Sequence, residues 1–381
     1  MMKRAEILLY YFCTGLTLCI LYATQPIGPV FENELGISKT QATLFTTAIM
    51  MPLAFAGIFY GYLLEKIQIK IILVLAFLFL GISEIVFSLT HSYFLLLNIR
   101  GFQGLLIPAV LTGIMSYISQ ISSKDSVANA IGVYIGVTII GGFMGRALSG
   151  FFTDIFGWRV FFFIIGCVAI LASILLLKFS QNIKASYLKP HLIDIIHTLK
   201  TRHNLYIFLM IFGIFFTFQA MLNFIPFELA KISDNYSSSK AGMLYIGYLV
   251  GVLVAFNTKK IVAFLGSSIK AIIVGIIILI IAIQIFRIES FWLIFVAMVV
   301  FCLGNFIAHS IASGFINKMA TSHKGISNGL YVSFYYFGGA LGSFVPGFIY
   351  IPFGWGAMLS FISVVSFISL IFIMVIRDIK N

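Results

Sequence analysis

The sequence predicts an all-α integral membrane protein, with twelve transmembrane helices in two six-helix bundles related as a parallel pseudo-two-fold repeat. Three observations carry this. Hydrophobic residues make up 61% of the 381 and charged residues only 9%, where a soluble domain carries about 25% charged residues. The apolar runs are long and continuous rather than alternating, and each approaches the roughly 20 residues that a helix needs to cross a bilayer. Finally, the stretch from Gly145 to Arg159 returns as Gly342 to Gly356, 197 positions later, with three glycines and the whole Phe-Gly-Trp preserved. The scaffold residues of that repeat persist and its charges do not: Arg146, Asp154 and Arg159 are answered by Ser343, Ile351 and Gly356.

The first span, 7–31, lacks a small-residue cleavage site and is followed by further spans, so it reads as a retained helix and not a signal peptide. Ser38-Lys39 opens the second, 41–64. Short polar breaks separate 69–89, 93–121, 127–151 and 159–177. The only long soluble segment follows. It is basic, holds Pro190, and places Leu192, Ile193, Ile195, Ile196 and Leu199 at helical spacing, which predicts a short helix on the inner membrane surface; a partner-binding helix is the alternative. The second half then gives spans 205–229, 240–258, 269–286, 291–318, 325–351 and 354–376. Pro226 and Ser239-Lys240 echo Pro26 and Ser38-Lys39 at the start of each half. The chain therefore divides into a bundle at 1–178, a cytoplasmic linker at 179–204 and a second bundle at 205–381, a parallel repeat of the kind that places a substrate cavity between its halves.

The net charge of +12 raises the question of a nucleic-acid partner, and its placement argues for none. With both termini inside, most of the 24 Lys and Arg gather at the inner ends of spans, among them Lys3, Arg4, Lys66, Lys70, Lys178 and Lys184. The positive-inside rule then sets the orientation. The expected location is the cell inner (cytoplasmic) membrane, multi-pass, with both termini cytoplasmic. Trp158, Trp292 and Trp355 fall at outer ends of spans, where interfacial anchors are expected. Cys13, Cys19, Cys167 and Cys302 lie inside apolar helices at no metal-ligand spacing, so packing is their expected role and no metal is expected.

Several motifs carry a family resemblance. Gly61-Tyr62-Leu63-Leu64-Glu65-Lys66-Ile67-Gln68-Ile69-Lys70 resembles the loop signature Gly-x-Leu-x-Asp-Arg-x-Gly-Arg-Lys of the major facilitator superfamily (MFS), departing from it at Gln68 and Ile69. Arg100-Gly101-Phe102-Gln103-Gly104 resembles that family's fourth-helix Arg-x-x-Gln-Gly motif. Gly132, Gly136, Gly141, Gly142 and Gly145 resemble the glycine-rich fifth helix of proton-coupled antiporters, without the usual Gly-Pro pair; close helix packing is the plainer reading. The run from Gly145 to Arg159, Ala308 to Ser313 and Tyr331 to Gly342 is similar to a bacterial inner-membrane branch of drug or sugar efflux permeases. The resemblance implies the MFS fold, and it sets Glu65 near the start of span eleven. There the free N–H groups opening at Gly325-Ile326-Ser327-Asn328 attract an anion. Gating is accordingly assigned to Gly61, Glu65 and Lys66, with Asp125 as the partner of Lys66; solvated loop charges are the alternative.

Intramembrane charge is sparse: Glu84 in span three, Arg100 in span four and Arg146 in span five. Each costs about 2.5–3.5 kcal/mol at a helix centre on insertion scales. Two readings stay open, a structural ion pair or a protonatable carboxylate tuned by arginine. His309 in span ten is either a satisfied hydrogen-bonding group or a proton relay. Gln25, Asn223 and Asn305, with Gln103, are uncharged amides placed well inside helices and suited equally to substrate or to helix-to-helix bonds. Asp154 and Arg159, with Arg146, suggest an outer ionic network that gates access.

No phosphate-binding loop, nucleophile–base set or metal cluster is present in the sequence, so neither an enzyme nor a cofactor is expected. The expected function is a secondary active transporter of a small organic molecule, proton-coupled, working by alternating access as an efflux antiporter. A proton-coupled nutrient importer is the alternative, and a non-transporting membrane sensor a third. Proton, small-molecule substrate and lipid bilayer are the expected partners, and a monomer the expected state.

Overall fold

Backbone amides that cannot reach water must bond within their own segment, and the apolar runs satisfy this as helices. The computed structural model describes residues 2–122, 127–183, 192–233, 236–319 and 324–380. Among them the elements are α1 (Met2–Tyr22), α2 (Gly28–Leu35), α3 (Lys39–Lys66), α4 (Ile69–Leu89), α5 (Tyr93–Ile121), α6 (Val127–Phe156) and α7 (Trp158–Phe179). Then follow α8 (Leu192–Lys200), α9 (Arg202–Ile232), α10 (Ser238–Leu244), a 3₁₀ segment (Tyr245–Leu249) and α11 (Val250–Leu265). The chain closes with α12 (Ser268–Ile285), α13 (Phe291–Met319), α14 (Lys324–Phe344) and α15 (Gly347–Lys380). Among the described residues, ten candidate spans are long and apolar enough to cross a membrane. With α3 and α14, of 28 and 21 residues, the layout fits twelve, since about 20 residues rising 1.5 Å each cross a bilayer core.

Three spans differ from expectation, each for a local reason. The first ends at Tyr22 and restarts as α2 only at Gly28, because Pro26 and Pro29 lack N–H donors for a continuous ladder. The eighth is α10, the 3₁₀ segment and α11 in succession. The eleventh stops at Phe344 ahead of Pro346, and the helical piece that opens at Gly347 is parted from the twelfth span by non-helical backbone at Gly354. Ser38 caps α3 in a capping box with Gln41. Its counterpart in the second half is Ser237, whose hydroxyl accepts from the Lys240 amide at 3.2 Å, two residues before the Ser239 that the sequence suggested.

The chain forms two compact units, Met1–Lys189 with Asn235–Met243, and Pro190–Asp234 with Leu244–Asn381. In the first, α4 packs on α7, α3 on α5 and α1 on α6; in the second, α9 packs on α14 and α15, and α12 on α13. The repeat is written into these contacts. A Cβ on Gly141 or Gly145 would strike the carbonyl oxygens of Gly15 or Cys19 in α1. A Cβ on Gly338 or Gly342 would strike those of Phe212 or Phe216 in α9. All four pairs are related by the same offset of 197, and small residues are what allow such close crossing.

The repeated Phe-Gly-Trp is a turn. Gly157 has φ 83, ψ 152 and Gly354 has φ 80, ψ −178, a region open essentially to glycine alone. Each hands its tryptophan inward. Trp158 is fully buried among Phe31, Phe87 and Phe162, with its indole N–H donated to Glu34 at 2.6 Å. Trp355 is 7% exposed and donates to the Phe286 carbonyl at 2.9 Å. The interfacial role expected of all three tryptophans therefore fits only Trp292, which is 73% exposed.

Candidate functional site

The polar core of the first unit is organised by Arg100. Where α1 breaks at Tyr22, its last carbonyls have no intrahelical donor. Arg100 supplies donors: Nη1 to the Ile20 carbonyl at 3.2 Å and Nη2 to that of Leu21 at 3.0 Å. Its Nε reaches the Phe45 carbonyl of α3 at 3.4 Å, and Nη1 also bonds Gln103 Oε1 at 2.9 Å. A cation at a helix C-terminus complements the helix dipole. Gly104, one residue past Gln103, lets α5 press onto the Ile49 backbone of α3. The Arg-x-x-Gln-Gly pattern thus encodes a guanidinium, its amide partner and the close approach that delivers both. Gln103 in turn donates to the Ser83 hydroxyl at 3.2 Å.

Glu84 sits beside this assembly, fully buried, with Oε1 3.7 Å from Arg100 Nη1. Neither carboxylate oxygen accepts a hydrogen bond among the described residues. Arg100 directs four donors to three carbonyls and Gln103 and faces the acid by charge. The pair expected from sequence exists, in an asymmetric form.

Arg146 is also fully buried. Its Nε donates to Gln25 Oε1 at 2.6 Å, Nη1 donates to the Gly142 carbonyl at 2.7 Å, and the guanidinium lies 4.0 Å from the centroid of the Tyr22 ring. At the repeat position, Ser343 accepts from Asn223 Nδ2 at 3.0 Å and donates to the Gly339 carbonyl at 2.8 Å. The bridge therefore differs between the units: Arg146 of α6 reaches Gln25 in the turn after α1, where the sequence had placed that amide inside a helix, whereas Asn223 of α9 bonds Ser343 of α14 from helix to helix.

At the far end of α6, Asp154 accepts from the backbone amides of Ser238 at 2.9 Å and Ser239 at 2.7 Å, the first turn of α10. Arg159 donates to the carbonyls of Ser88 and Thr90 at 2.9 and 2.7 Å and lies over the Trp158 ring. Both charges thus bind backbone, where sequence suggested that they bind each other. Tyr236 joins this end through its hydroxyl, donated to the Pro26 carbonyl at 3.2 Å. Burial pushes the Tyr236 phenol up, and the Asp154 carboxylate acts in the same direction.

In the second unit, His309 is half-buried, its Nδ1 3.1 Å from the Tyr331 hydroxyl and its ring 4.4 Å from that of Tyr335. Tyr335 stacks on Phe215. Asn305, one turn before His309 on the same face of α13, is fully buried, and its amide has no hydrogen-bond partner among the described residues.

Sequence reasoning passed over two buried acids. Glu228 near the end of α9 is 1% exposed, accepts from Tyr350 at 2.9 Å and lies 3.7 Å from Lys231. Glu6 is 4% exposed and accepts from Tyr117 and from the Gln181 amide. Both lie near span ends, where acids are ordinarily solvated; the aromatic residues around them were the available signal. Of the expected inner gate, Lys66 is exposed. The surroundings of Gly61, the side chain of Glu65 and all of Asp125 lie outside the described residues.

The chain is similar to known proteins over most of its length. The inner membrane transport protein YnfM of Escherichia coli K12 is 29% identical over 372 residues, covering 96% of this chain and 89% of its own. The quinolone resistance protein NorA of Staphylococcus aureus is 22% identical over 362 residues, covering 91% and 90%. Among solved structures, the nucleoside transporter NupG superposes with a TM-score of 0.78 at 14% identity, covering 98% of this chain and all of that one. The family model of the Major Facilitator Superfamily matches residues 10–282. The chain is thus a transporter, spans the membrane several times, and belongs to the major facilitator superfamily.

Proposed function

We propose that the protein exports a small organic compound across the bacterial inner membrane in exchange for protons, by alternating access, with Glu84 carrying the proton. The observation that carries this is the state of Glu84. It is enclosed in the first unit, 3.7 Å from an arginine whose donors are engaged elsewhere, and its oxygens accept no hydrogen bond among the described residues. Protonation removes the attraction to Arg100, which lies across the contact of α4 with α5. The likeness to a quinolone resistance protein supports export. Asn305 supplies hydrogen-bonding groups for substrate, and the half-buried His309 on the same face of α13 is the candidate relay, while Glu65, Lys66 and Asp125 gate the inner side and both termini face the cytoplasm. Nutrient import with protons remains the second reading, because the nucleoside transporter NupG shares the fold.

The test is transport by purified protein in proteoliposomes under an imposed pH gradient, screened over dyes, sugars and amino-acid derivatives. Glu84→Gln is expected to abolish pH-driven movement while leaving substrate binding detectable. Normal pH-driven transport by that variant removes Glu84 from the mechanism, and uptake in place of extrusion decides for import.

A further inference from the structure

The junction of α4 with α7 in the first unit, and of α12 with α15 in the second, is closed by an arginine, but from opposite sides. Arg159, opening α7, donates to the Ser88 and Thr90 carbonyls at the end of α4. Arg287, just past α12, donates through Nη1 to the Gly356 carbonyl of α15 at 3.3 Å. Arg287 and Gly356 stand at the repeat positions of Thr90 and Arg159, at the same offset of 197. The two guanidiniums differ in what they face. Arg159 is half-buried and lies over the Trp158 ring. Arg287 is exposed, and it is held in place by its neighbours: Nε donates to Gln284 Oε1 and Nη2 to the Ser360 hydroxyl, each at 2.8 Å. An arginine has five N–H donors, so one is left on each of Nη1 and Nη2 among the described residues. Glu289, two residues on, makes no ion pair with it among the described residues.

Away from Arg287 the outer surface of this helix pair changes in the order of an amphiphile. Gln284 and Ser360 are exposed beside the arginine, and Gln284 donates to the Ser363 hydroxyl at 2.9 Å. Further along the same helix faces come the exposed Ile281 of α12 and Val364 and Phe367 of α15. Polar groups turned toward hydrocarbon are costly, and the first unit has none here: the repeat positions of Gln284, Ser360 and Ser363 are Phe87, Phe163 and Gly166. Trp292, 73% exposed at the start of the next helix, marks the level of the headgroups. We propose that the α12–α15 face binds an anionic phospholipid, its phosphate on the Arg287 guanidinium and an acyl chain along Ile281, Val364 and Phe367. The planar fork of arginine matches phosphate oxygens. Gln284, Gly356 and Ser360 orient that fork before the lipid arrives, which lowers the cost of ordering it on binding. The second N–H of Gln284 Nε2 is placed for an ester carbonyl. The site is read without reference to solute, direction or coupling ion.

The experiment is native mass spectrometry of the purified full chain in detergent, with phosphatidylglycerol or phosphatidylcholine added. The parent is expected to hold phosphatidylglycerol about fivefold more tightly than phosphatidylcholine, as one arginine near anionic headgroups implies. Arg287→Gln should lose that preference. Arg287→Lys, which keeps the charge and gives up the fork, is expected to fall between. Val364→Trp fills the groove without touching a polar group, and it should weaken phosphatidylglycerol binding even where Arg287→Gln folds poorly. Thermal unfolding of each lipid-free variant reports on its fold. An equal hold on phosphatidylglycerol in the parent, Arg287→Gln and Val364→Trp overturns the site. So does a parent that holds the two lipids equally, because the face then takes lipid without reading its charge. A parent dimer that both variants dissolve also overturns it, since a second copy of the chain then covers the face.

Discussion

At the scale of single residues, charge is the currency in which the two units differ. Arg146 is expected to matter more than its mate Ser343. Arg146→Ser forfeits bonds from a charged donor, worth about 1.5–3 kcal/mol each, whereas Ser343→Ala gives up neutral ones worth about 0.5–1.5. Initial transport rates should fall about tenfold or more for the first and about twofold for the second; equal losses would make the asymmetry incidental. Arg100 and Gln103 were legible in the sequence because their spacing is a short-range pattern. Their partners were not, because the carbonyls of Ile20 and Leu21 become available only where α1 breaks. Asp154 was legible as a charge near one end of a span and illegible as a cap, since a bond from carboxylate to distant backbone leaves no complementary charge to find. Trp158 was misread because an interfacial ring and a buried ring with a hydrogen-bonded N–H have the same neighbours in sequence.

At the scale of elements, the repeat makes paired predictions. Gly157→Ala and Gly354→Ala each force a side chain into a region reserved for glycine, at a cost of about 1–3 kcal/mol. Both variants should lower the thermal unfolding temperature, by similar amounts, in scanning fluorimetry of the purified protein. A change confined to one of them would mean that the two turns are not equivalent. The helices themselves were readable from uninterrupted hydrophobicity, and the Phe-Gly-Trp turn from its recurrence. Where spans break was readable only in part: proline marks the interruptions near Pro26 and Pro346, but no proline immediately precedes the 3₁₀ segment of span eight. Its first residue, Tyr245, bonds the Leu222 carbonyl that Pro226 cannot reach, a contact between distant helices that a pattern read along the sequence does not report.

At the scale of the whole molecule, division into two units is crossed by α10, which belongs by sequence to the second half and by packing to the first. A chain cut in the 179–204 linker and produced as two co-expressed pieces is expected to copurify in detergent. Asp154→Ala in the first piece should reduce the recovered partner, and undiminished recovery would mean that other contacts suffice. The Arg100 assembly has a consequence of a different kind, for biogenesis. The carbonyls that α1 exposes at its break are closed by an arginine 80 residues further along, and an uncapped carbonyl in hydrocarbon costs several kcal/mol. During synthesis the first span is expected to stay unfinished in lipid until the fourth has left the ribosome, and the fourth, with its arginine, to enter lipid less readily alone. The two are therefore fitted to leave the translocon together, and a nascent chain arrested before Arg100 should keep its first span beside the insertion machinery.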